Sequence, residues 1–317
     1  MPRHLLTVAE GGVSARIQLK LLLGYASISR LLFRRRGLQR LSWTLGSFFP
    51  PRNSVILSQG ARQFKIYLKD GYYTRLLPQG FVYEPEVAAI LDKVISPDSV
   101  FVDCGANNGY WSVYAGLKSG HPERVLAIEP TSEPFARLEE NRHLNNDSFR
   151  AVKRAIYSKS DVELQFAVHP HQHAMNTSTA WAGGWPADPR SPHELVRSIT
   201  IDDVCEGMFP NGDTAPVVVK IDVEGAEIEA FQGAQKTINR GALLVYEDHG
   251  LERSCRNTEF LLKEFHLAVY LLRDAWQPIP IEDAKHLSRL KRDPKFGYNL
   301  IAGKPGSPSL EKALRAG

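Results

Sequence analysis

A glycine-containing turn at residues 102–109, which read VDCGANNG, has the spacing that points most directly to chemistry. Gly105 and Gly109 allow the backbone to pass close to a ligand, and the helical pattern that follows begins with unpaired amide groups. The turn lacks the third glycine of the dinucleotide fingerprint, and the chain contains no GxxxxGK(S/T) phosphate loop. Hydride transfer and nucleotide hydrolysis are therefore disfavoured.

An acidic residue follows the next apolar run along the chain. Glu129 stands between Ile128 and Pro130, 20 residues past Gly109. A carboxylate at this position of a strand–helix–strand unit can accept hydrogen bonds from both hydroxyls of a ribose. Taken alone, Glu129 could equally cap the helix that follows. Together with the glycine turn, it predicts a site for a ribose-containing cofactor.

Further acids and a histidine follow two later apolar runs. Asp222 and Glu224 lie within KIDVEG at residues 220–225, and Glu247, Asp248 and His249 follow LLVY at 243–246. The carboxyl ends of parallel strands meet at one edge of a sheet, so we expect these side chains to converge. By its intrinsic pKa, His249 is the best single general base. A structural hydrogen bond to the sheet edge is the alternative role for His249.

Apolar runs alternate with amphipathic stretches between residues 99 and 302, which predicts strands and helices in turn. The predicted strands cover residues 100–102, 124–128, 149–156, 217–219, 243–246, 267–272 and 298–302. The predicted helices cover residues 110–118, 133–144, 226–238 and 258–265. The pattern is typical of a doubly wound α/β sheet with a ligand at the carboxyl ends of its strands.

These motifs resemble the class I S-adenosylmethionine-dependent methyltransferases and, within them, the FkbM group. The resemblance rests on residues 101–110, 128–130, 137–141 and especially 220–227, followed by a Gly-Ala pair at 233–234. Cys104 and Asn108 depart from the aliphatic residues usual there. The resemblance implies a Rossmann-like, mainly parallel sheet of seven strands within a methyltransferase domain at residues 81–304. A basic, helix-rich extension at 1–80 and a tail at 305–317 flank that domain.

S-adenosylmethionine is the cofactor that the resemblance implies. The positions that would bind it are Asp103, Gly105, Asn107 and Gly109 for the methionine end, Glu129 for the ribose, and Ala155 and Ile156 for the adenine. A hydroxyl acceptor needs help to lose its proton, so Asp222, Glu224 and His249 form the predicted catalytic group. The resemblance implies a sugar hydroxyl as acceptor, in a glycolipid, polysaccharide or glycosylated natural product.

Asp222, Glu247 and Asp248 also form an oxygen-rich set of the kind that binds Mg²⁺. The FkbM pattern does not require a metal, so the ion stays a second hypothesis. Two rival functions also remain open. A metal-dependent glycosyltransferase could use residues 222–224 as an Asp-x-Asp-like motif, and a non-catalytic membrane-associated scaffold could retain the fold alone.

A proline-rich stretch at residues 169–197 interrupts the alternation and predicts a lid-like insertion. Trp181 and Trp185 could stack on a sugar face. The histidines at positions 169, 171, 173 and 193 favour solvent or substrate contact over metal binding.

Charge divides unevenly along the 317 residues. Residues 1–50 contain eight Lys and Arg against Glu10 alone, a balance of +7, so the rest carries −3 of the net +4. The segment predicts either amphipathic helices in peripheral contact with an anionic membrane surface or helices packed on the body or on a second copy of the chain. Its cations are not interleaved with aromatic residues, which argues against nucleic acid as a partner.

Three scattered cysteines argue against a disulfide scaffold and predict a cytoplasmic protein.

Overall fold

The computed structural model describes residues 6–32, 38–168, 177–178, 192–208, 214–250, 252–273, 277–293 and 297–315. The strands are β1 (Leu6–Glu10), β2 (Ser54–Gln59), β3 (Arg62–Tyr67), β4 (Val100–Cys104), β5 (Val125–Ile128), β6 (Arg150–Val152), β7 (Ala155–Ile156), β8 (Glu163–Ala167), β9 (Thr177–Ser178), β10 (His193–Ile199), β11 (Val217–Ile221), β12 (Leu243–His249), β13 (Ala268–Leu271), β14 (Ile279–Ile281) and β15 (Gly297–Gly303). The α-helices are α1 (Gly12–Leu32), α2 (Leu38–Gly46), α3 (Leu76–Gln79), α4 (Pro85–Val94), α5 (Tyr110–Ser119), α6 (Ser132–Leu144), α7 (Ile201–Met208), α8 (Glu227–Gln232), α9 (Gln235–Asn239), α10 (Arg256–Glu264), α11 (Ala284–Leu290) and α12 (Pro308–Leu314).

The main sheet has the strand order β14-β13-β15-β12-β11-β4-β5-β6. Strands β6, β5, β4, β11 and β12 are parallel, whereas β15, β13 and β14 join antiparallel at one edge. The sheet therefore has eight described strands rather than seven, because β14 pairs with β13 at the edge. From β4 the chain continues to β5 and β6 on one side of the sheet, and it later returns as β11 on the other side of β4. This change of direction opens a crevice at the carboxyl ends of β4 and β11.

Helices cover both faces of the main sheet. Phe101 of β4 belongs to one core, with residues of α4, α5 and α12, whereas its neighbours Val100 and Val102 belong to the other, with residues of α8 and α10. Successive side chains of a strand point to opposite faces, so fully apolar strands are expected where both faces are covered. Both faces of β4 are therefore buried in the structure.

The described residues before position 80 pack against the rest of the protein. Strand β1 pairs with β2, and β2 pairs with β3, in an antiparallel sheet of three strands. Ala15, Leu19, Leu22 and Ala26 of α1 are buried in the same core as α4 and α5. The buried face of α1 is therefore part of the main hydrophobic core. Within the described residues, no helix combines the length and apolar character needed to cross a membrane.

Three predicted boundaries change in the structure. The predicted strand at 149–156 divides into β6, which joins the main sheet, and β7, which pairs with β10. The predicted helix at 226–238 divides into α8 and α9. Gly233, which lies between them, is so close to Tyr157 that a Cβ would come within 2.4 Å of the Tyr157 carbonyl oxygen. Residues 193–197 of the predicted insertion belong to β10, which pairs antiparallel with β8.

Candidate active site

The glycine turn connects β4 to α5 and lies against the end of β11. Gly105 has a φ of +77°, and a Cβ there would be 1.9 Å from the carbonyl oxygen of Asp222. Gly109 has a φ of +86°, and a Cβ there would be 2.4 Å from the side chain of Leu138. Other residues rarely adopt this left-handed region and would clash here, so both positions require glycine. The turn can therefore pass close to the crevice.

Asp103 is the penultimate residue of β4 and is 1% exposed. The hydroxyl of Ser112 donates a 2.6 Å hydrogen bond to its Oδ2 atom. Its Oδ1 atom is buried and, among the described residues, has no hydrogen-bond partner. Burial raises the pKa of Asp103, while the nearby Lys220 ammonium lowers it. A buried acceptor of this kind is costly unless a ligand supplies a donor, so Asp103 marks a binding position.

Glu129 follows β5 and faces the glycine turn. Its Oε2 atom accepts a 3.0 Å hydrogen bond from the amide of Asn107, and its Oε1 atom accepts hydrogen bonds from the amide (3.0 Å) and hydroxyl (2.8 Å) of Thr131. Burial raises the pKa of Glu129 to about 7, although these hydrogen bonds oppose the shift. The carboxylate supports the residue before α6, as the capping alternative predicted, and it also holds the glycine turn. Oε1 already accepts two hydrogen bonds, whereas Oε2 accepts one and retains a lone pair for a ligand hydroxyl.

Lys220, which the sequence analysis left without a role, is central to the crevice. It is in register with Asp103 on the adjacent strand, and its ammonium donates a 3.2 Å hydrogen bond to Asp222. Burial by itself lowers the pKa of Lys220, but the carboxylates of Asp222 and Asp103 outweigh that effect and raise it. The lysine therefore stays charged and compensates part of the acidic charge around it.

Glu224, Glu247 and His249 come together beyond the end of β11. The Nδ1 atom of His249 lies 3.4 Å from Glu247 Oε1, and its Nε2 atom lies 4.0 Å from Glu224 Oε2. Burial raises the pKa of Glu224 well above its ordinary value, and the charges of Asp222 and Glu247 raise it further. Burial, followed by the charge of Asp222, also raises the pKa of Glu247. Close carboxylates that resist simultaneous ionisation are typical of acid–base sites.

Asp248 does not join this group. It is 1% exposed, and its carboxylate accepts hydrogen bonds from Lys291 (2.5 Å) and Thr258 (2.8 Å). Neighbouring residues of a strand point to opposite faces, so Asp248 lies on the other side of β12 from Glu247. Across the described part of the chain, no group of three or more His, Cys, Asp or Glu side chains could hold a metal ion. The predicted Mg²⁺ site of Asp222, Glu247 and Asp248 is therefore not supported.

One cleft of about 770 Å³ collects most of these groups. Among the predicted cofactor and catalytic residues, those that line it are Asp103, Gly105, Asn107, Glu129, Ile156, Asp222 and Glu224. Gly109 precedes the first residue of α5, and Ala155 is buried with Leu164 and Phe166.

Aromatic side chains that the sequence analysis did not single out form a wall of the cleft. Those lining it are Tyr72, Tyr73, Tyr83, Tyr110, Trp111 and Phe166. The hydroxyls of Tyr72 and Tyr83 lie 2.5 Å apart, and the Arg75 guanidinium lies 4.0 Å from the centre of the Tyr72 ring. In the sequence, the three tyrosines within positions 72–83 were the feature that could have indicated this aromatic wall. Trp181 and Trp185 and the histidines at 169, 171 and 173 lie outside the described residues.

Fold and site together define an α/β protein with a cleft at the switch point of its sheet, lined by a glycine turn, acidic side chains and aromatic rings. The sequence model of the methyltransferase FkbM domain matches residues 103–272, more than half of the chain. The chain belongs to the FkbM methyltransferase family.

Two curated relatives match part of the chain. The hexuronic acid methyltransferase AglP of Haloferax volcanii is 26% identical over 166 residues, which are 52% of this chain and 62% of AglP. Methyltransferase 1 of Beauveria bassiana is 26% identical over 150 residues, which are 43% of this chain and 58% of that protein. The chain thus spans about three fifths of the length of each relative.

Solved structures are also similar at low identity. The FkbM methyltransferase of Methylobacillus flagellatus matches with a TM-score of 0.39 and 15% identity, over 73% of this chain and 60% of that one. The O-methyltransferase of Bacillus cereus, solved with S-adenosylhomocysteine, matches with a TM-score of 0.38 and 11% identity, over 70% and 82%.

Proposed function

We propose that this protein is an S-adenosylmethionine-dependent methyltransferase that acts on a hydroxyl of a sugar. The observation that carries the proposal is that the glycine turn, Glu129 and the two acids that follow β11, Asp222 and Glu224, line one cleft. A methyl donor and an acceptor must lie in line during transfer, so binding both at one sheet edge is the geometry that the reaction needs. The acceptor could belong to a glycolipid, a polysaccharide or a glycosylated natural product.

The residues present fit the cofactor. Asp103 has an open buried acceptor for the amino-acid end, and Glu129 can accept from the ribose hydroxyls. Ile156 provides an apolar contact for the adenine. When bound, S-adenosylmethionine supplies an electrophilic methyl group on a sulfonium, and the acidic cleft complements that positive charge.

Glu224 is the proposed base. Its carboxylate lines the cleft, and burial together with the charges of Asp222 and Glu247 raises its pKa, which makes the ionised form a stronger base. In that form, Glu224 would take the proton of the acceptor hydroxyl as the acceptor oxygen bonds to the methyl carbon and the carbon–sulfur bond of the donor breaks, which leaves S-adenosylhomocysteine. His249, half-exposed and 4.0 Å from Glu224, passes that proton to solvent. Asp222, held by Lys220, orients the acceptor.

A sugar suits the cleft for two reasons. Tyrosine side chains such as Tyr72 and Tyr83 line the cleft with aromatic surface that suits a sugar ring, and carboxylates accept hydrogen bonds from the sugar hydroxyls. The partial match to AglP, described as a hexuronic acid methyltransferase, supports the same class of acceptor. Membership of the FkbM family favours methyl transfer over the glycosyltransferase alternative.

Calorimetry with S-adenosylhomocysteine and with UDP-sugars tests the cofactor. We expect saturable binding of S-adenosylhomocysteine and none of the UDP-sugars. A preference for a UDP-sugar would contradict the proposal, and binding of neither ligand would favour a non-catalytic scaffold.

Release of S-adenosylhomocysteine on a panel of glycan acceptors tests the base. Glu224→Gln and His249→Ala should each keep cofactor affinity but lower turnover, Glu224→Gln by about 100-fold or more. Glu311→Gln, which changes an exposed acid on α12, is the matched control and should leave turnover unchanged. Full turnover by Glu224→Gln at saturating acceptor would remove Glu224 from the mechanism.

A further inference from the structure

Exposed apolar side chains concentrate near the start of the chain. Six large apolar residues are exposed in the described part of the protein, and four of them precede residue 50. The four are Val13 (72% exposed), Ile17 (47%), Leu21 (48%) and Phe48 (80%). Single exposed apolar residues are ordinary on a protein surface, but a cluster within one segment marks an interaction surface.

Helix α1 has two faces of different kinds. Its inner face buries four residues, Ala15, Leu19, Leu22 and Ala26, in the core. Val13, Ile17 and Leu21 are spaced four residues apart, so they form one stripe along the opposite side of the helix. The exposed Arg16 and Lys20 lie beside that stripe. We call these five residues, Val13, Arg16, Ile17, Lys20 and Leu21, the α1 outer face.

The charge around this face is positive and uncompensated by its own segment. Glu10 is the only acid among residues 1–50. Its carboxylate lies 2.9 Å from the ammonium of Lys65, so it pairs with the body instead of neutralising α1. The helix has no acidic residue in its first turn. An apolar stripe bordered by cations is the arrangement that lies at the boundary between lipid headgroups and acyl chains.

We propose that the α1 outer face binds the surface of an anionic lipid bilayer, with the helix axis parallel to the membrane plane. The apolar stripe enters the acyl boundary, and Arg16 and Lys20 meet the lipid phosphates. A second copy of the chain fits less well. A two-fold contact through this stripe would bring the same cations of both copies together with no acid of the helix to separate them. The proposal is independent of the methyl-transfer activity.

Vesicle flotation with the full chain tests the proposal. One set of vesicles contains phosphatidylcholine alone, and the other contains phosphatidylcholine mixed with phosphatidylglycerol. We expect the protein to float with the mixed vesicles and to remain at the bottom with the neutral ones. Added salt should weaken the binding, because it screens the attraction between the cations and the lipid surface.

Variants that remove positive charges test whether vesicle binding depends on the α1 outer face or on the overall charge of the protein. The double variant Arg16→Gln/Lys20→Gln should lower partitioning onto mixed vesicles by about 30-fold, since each cation near an anionic surface contributes several-fold. The matched control is Lys285→Gln/Lys312→Gln, which removes two exposed lysines from α11 and α12. The control should bind as the unchanged protein does.

Apolar variants test the stripe. Ile17→Ser/Leu21→Ser should weaken binding to mixed vesicles at unchanged net charge, whereas Leu195→Ser, at a 66% exposed position on β10, should not. Circular dichroism confirms that each variant is folded. Equal losses in both control and test variants, or equal binding to neutral and mixed vesicles, would overturn the proposal. A dimer in light scattering that Ile17→Ser/Leu21→Ser abolishes, without vesicle binding, would assign the face to a second copy.

Discussion

Glu129 connects the glycine turn to the start of α6. Its carboxylate accepts hydrogen bonds from the amide of Asn107 in the turn and from the amide of Thr131 just before the helix. Spacing alone located this residue, because a carboxylate that follows the second strand is close to the first turn in any such unit. Spacing also indicated that Glu224 and His249 meet, but it did not indicate that Asp248 is held by a buried lysine. That lysine, Lys291, comes from 43 residues further along the chain.

The raised pKa of Glu129 predicts a pH-dependent affinity for S-adenosylhomocysteine. Ribose hydroxyls donate best to the ionised carboxylate, so affinity should rise with pH through about 7 and weaken as the carboxyl group takes up its proton. Glu129→Ala should lower the affinity at high pH by about 100-fold, since it removes hydrogen bonds to a charged group. Calorimetry between about pH 6 and about pH 8.5 measures both effects.

Glu129→Gln keeps the shape of the side chain but cannot titrate. Its affinity should therefore vary little over the same pH range. A pH dependence that persisted in Glu129→Gln would assign the effect to another group of the cleft.

At the scale of helices and strands, the site is positioned by segments that are distant in the sequence but pack closely together. The turn after β4 packs directly on the end of β11, and the amide of Asp222 donates a 3.0 Å hydrogen bond to the carbonyl of Cys104. The glycine pattern predicted the turn and its ligand. It did not predict which segment approaches Gly105, because that contact joins residues more than 100 positions apart. Likewise, the apolar pattern predicted the strands but not the edge strand β14.

Gly105→Ala tests this contact, with Gly120→Ala as the matched control. Both glycines have a φ above +70°, but a Cβ at Gly105 meets the backbone of Asp222, whereas a Cβ at Gly120 meets nothing within 4 Å. Gly120→Ala should cost about 1–2 kcal/mol of unfolding free energy from backbone strain alone. Gly105→Ala should cost about 3–5 kcal/mol and abolish cofactor binding, because overpacking adds to the strain. Urea denaturation measures both, and equal costs would show that the close approach is unimportant.

The N-terminal extension is part of the molecule's core. Residues 1–50 are basic, whereas the rest of the sequence is mildly acidic. The separation does not extend to packing, since α1 shares its buried face with α4 and α5. Removing residues 1–50 would therefore expose core residues and remove β1 from its sheet.

Leu22→Ala should destabilise the whole protein, although Leu22 lies about 80 positions before Asp103. Leu22 is fully buried, so the lost apolar contact and the cavity should cost about 3–5 kcal/mol. The neighbouring Leu21 is 48% exposed, and Leu21→Ala should change stability by less than about 0.5 kcal/mol. A single cooperative urea transition shifted only by Leu22→Ala is the expected result. A separate early transition for the extension would contradict the shared core.

The sequence by itself determined the glycine turn, Glu129, the alternation of strands and helices, and the acids that follow β11 and β12. These features depend on spacing within a single strand–helix unit, which local backbone geometry and side-chain periodicity control. Only the tertiary structure decided that tyrosines from residues 72–83 line the cleft, that Asp248 pairs with Lys291, and that α1 packs into the core. Those outcomes depend on which apolar surfaces, distant from one another in the sequence, pack together. The shapes of the side chains throughout the folded chain determine that packing.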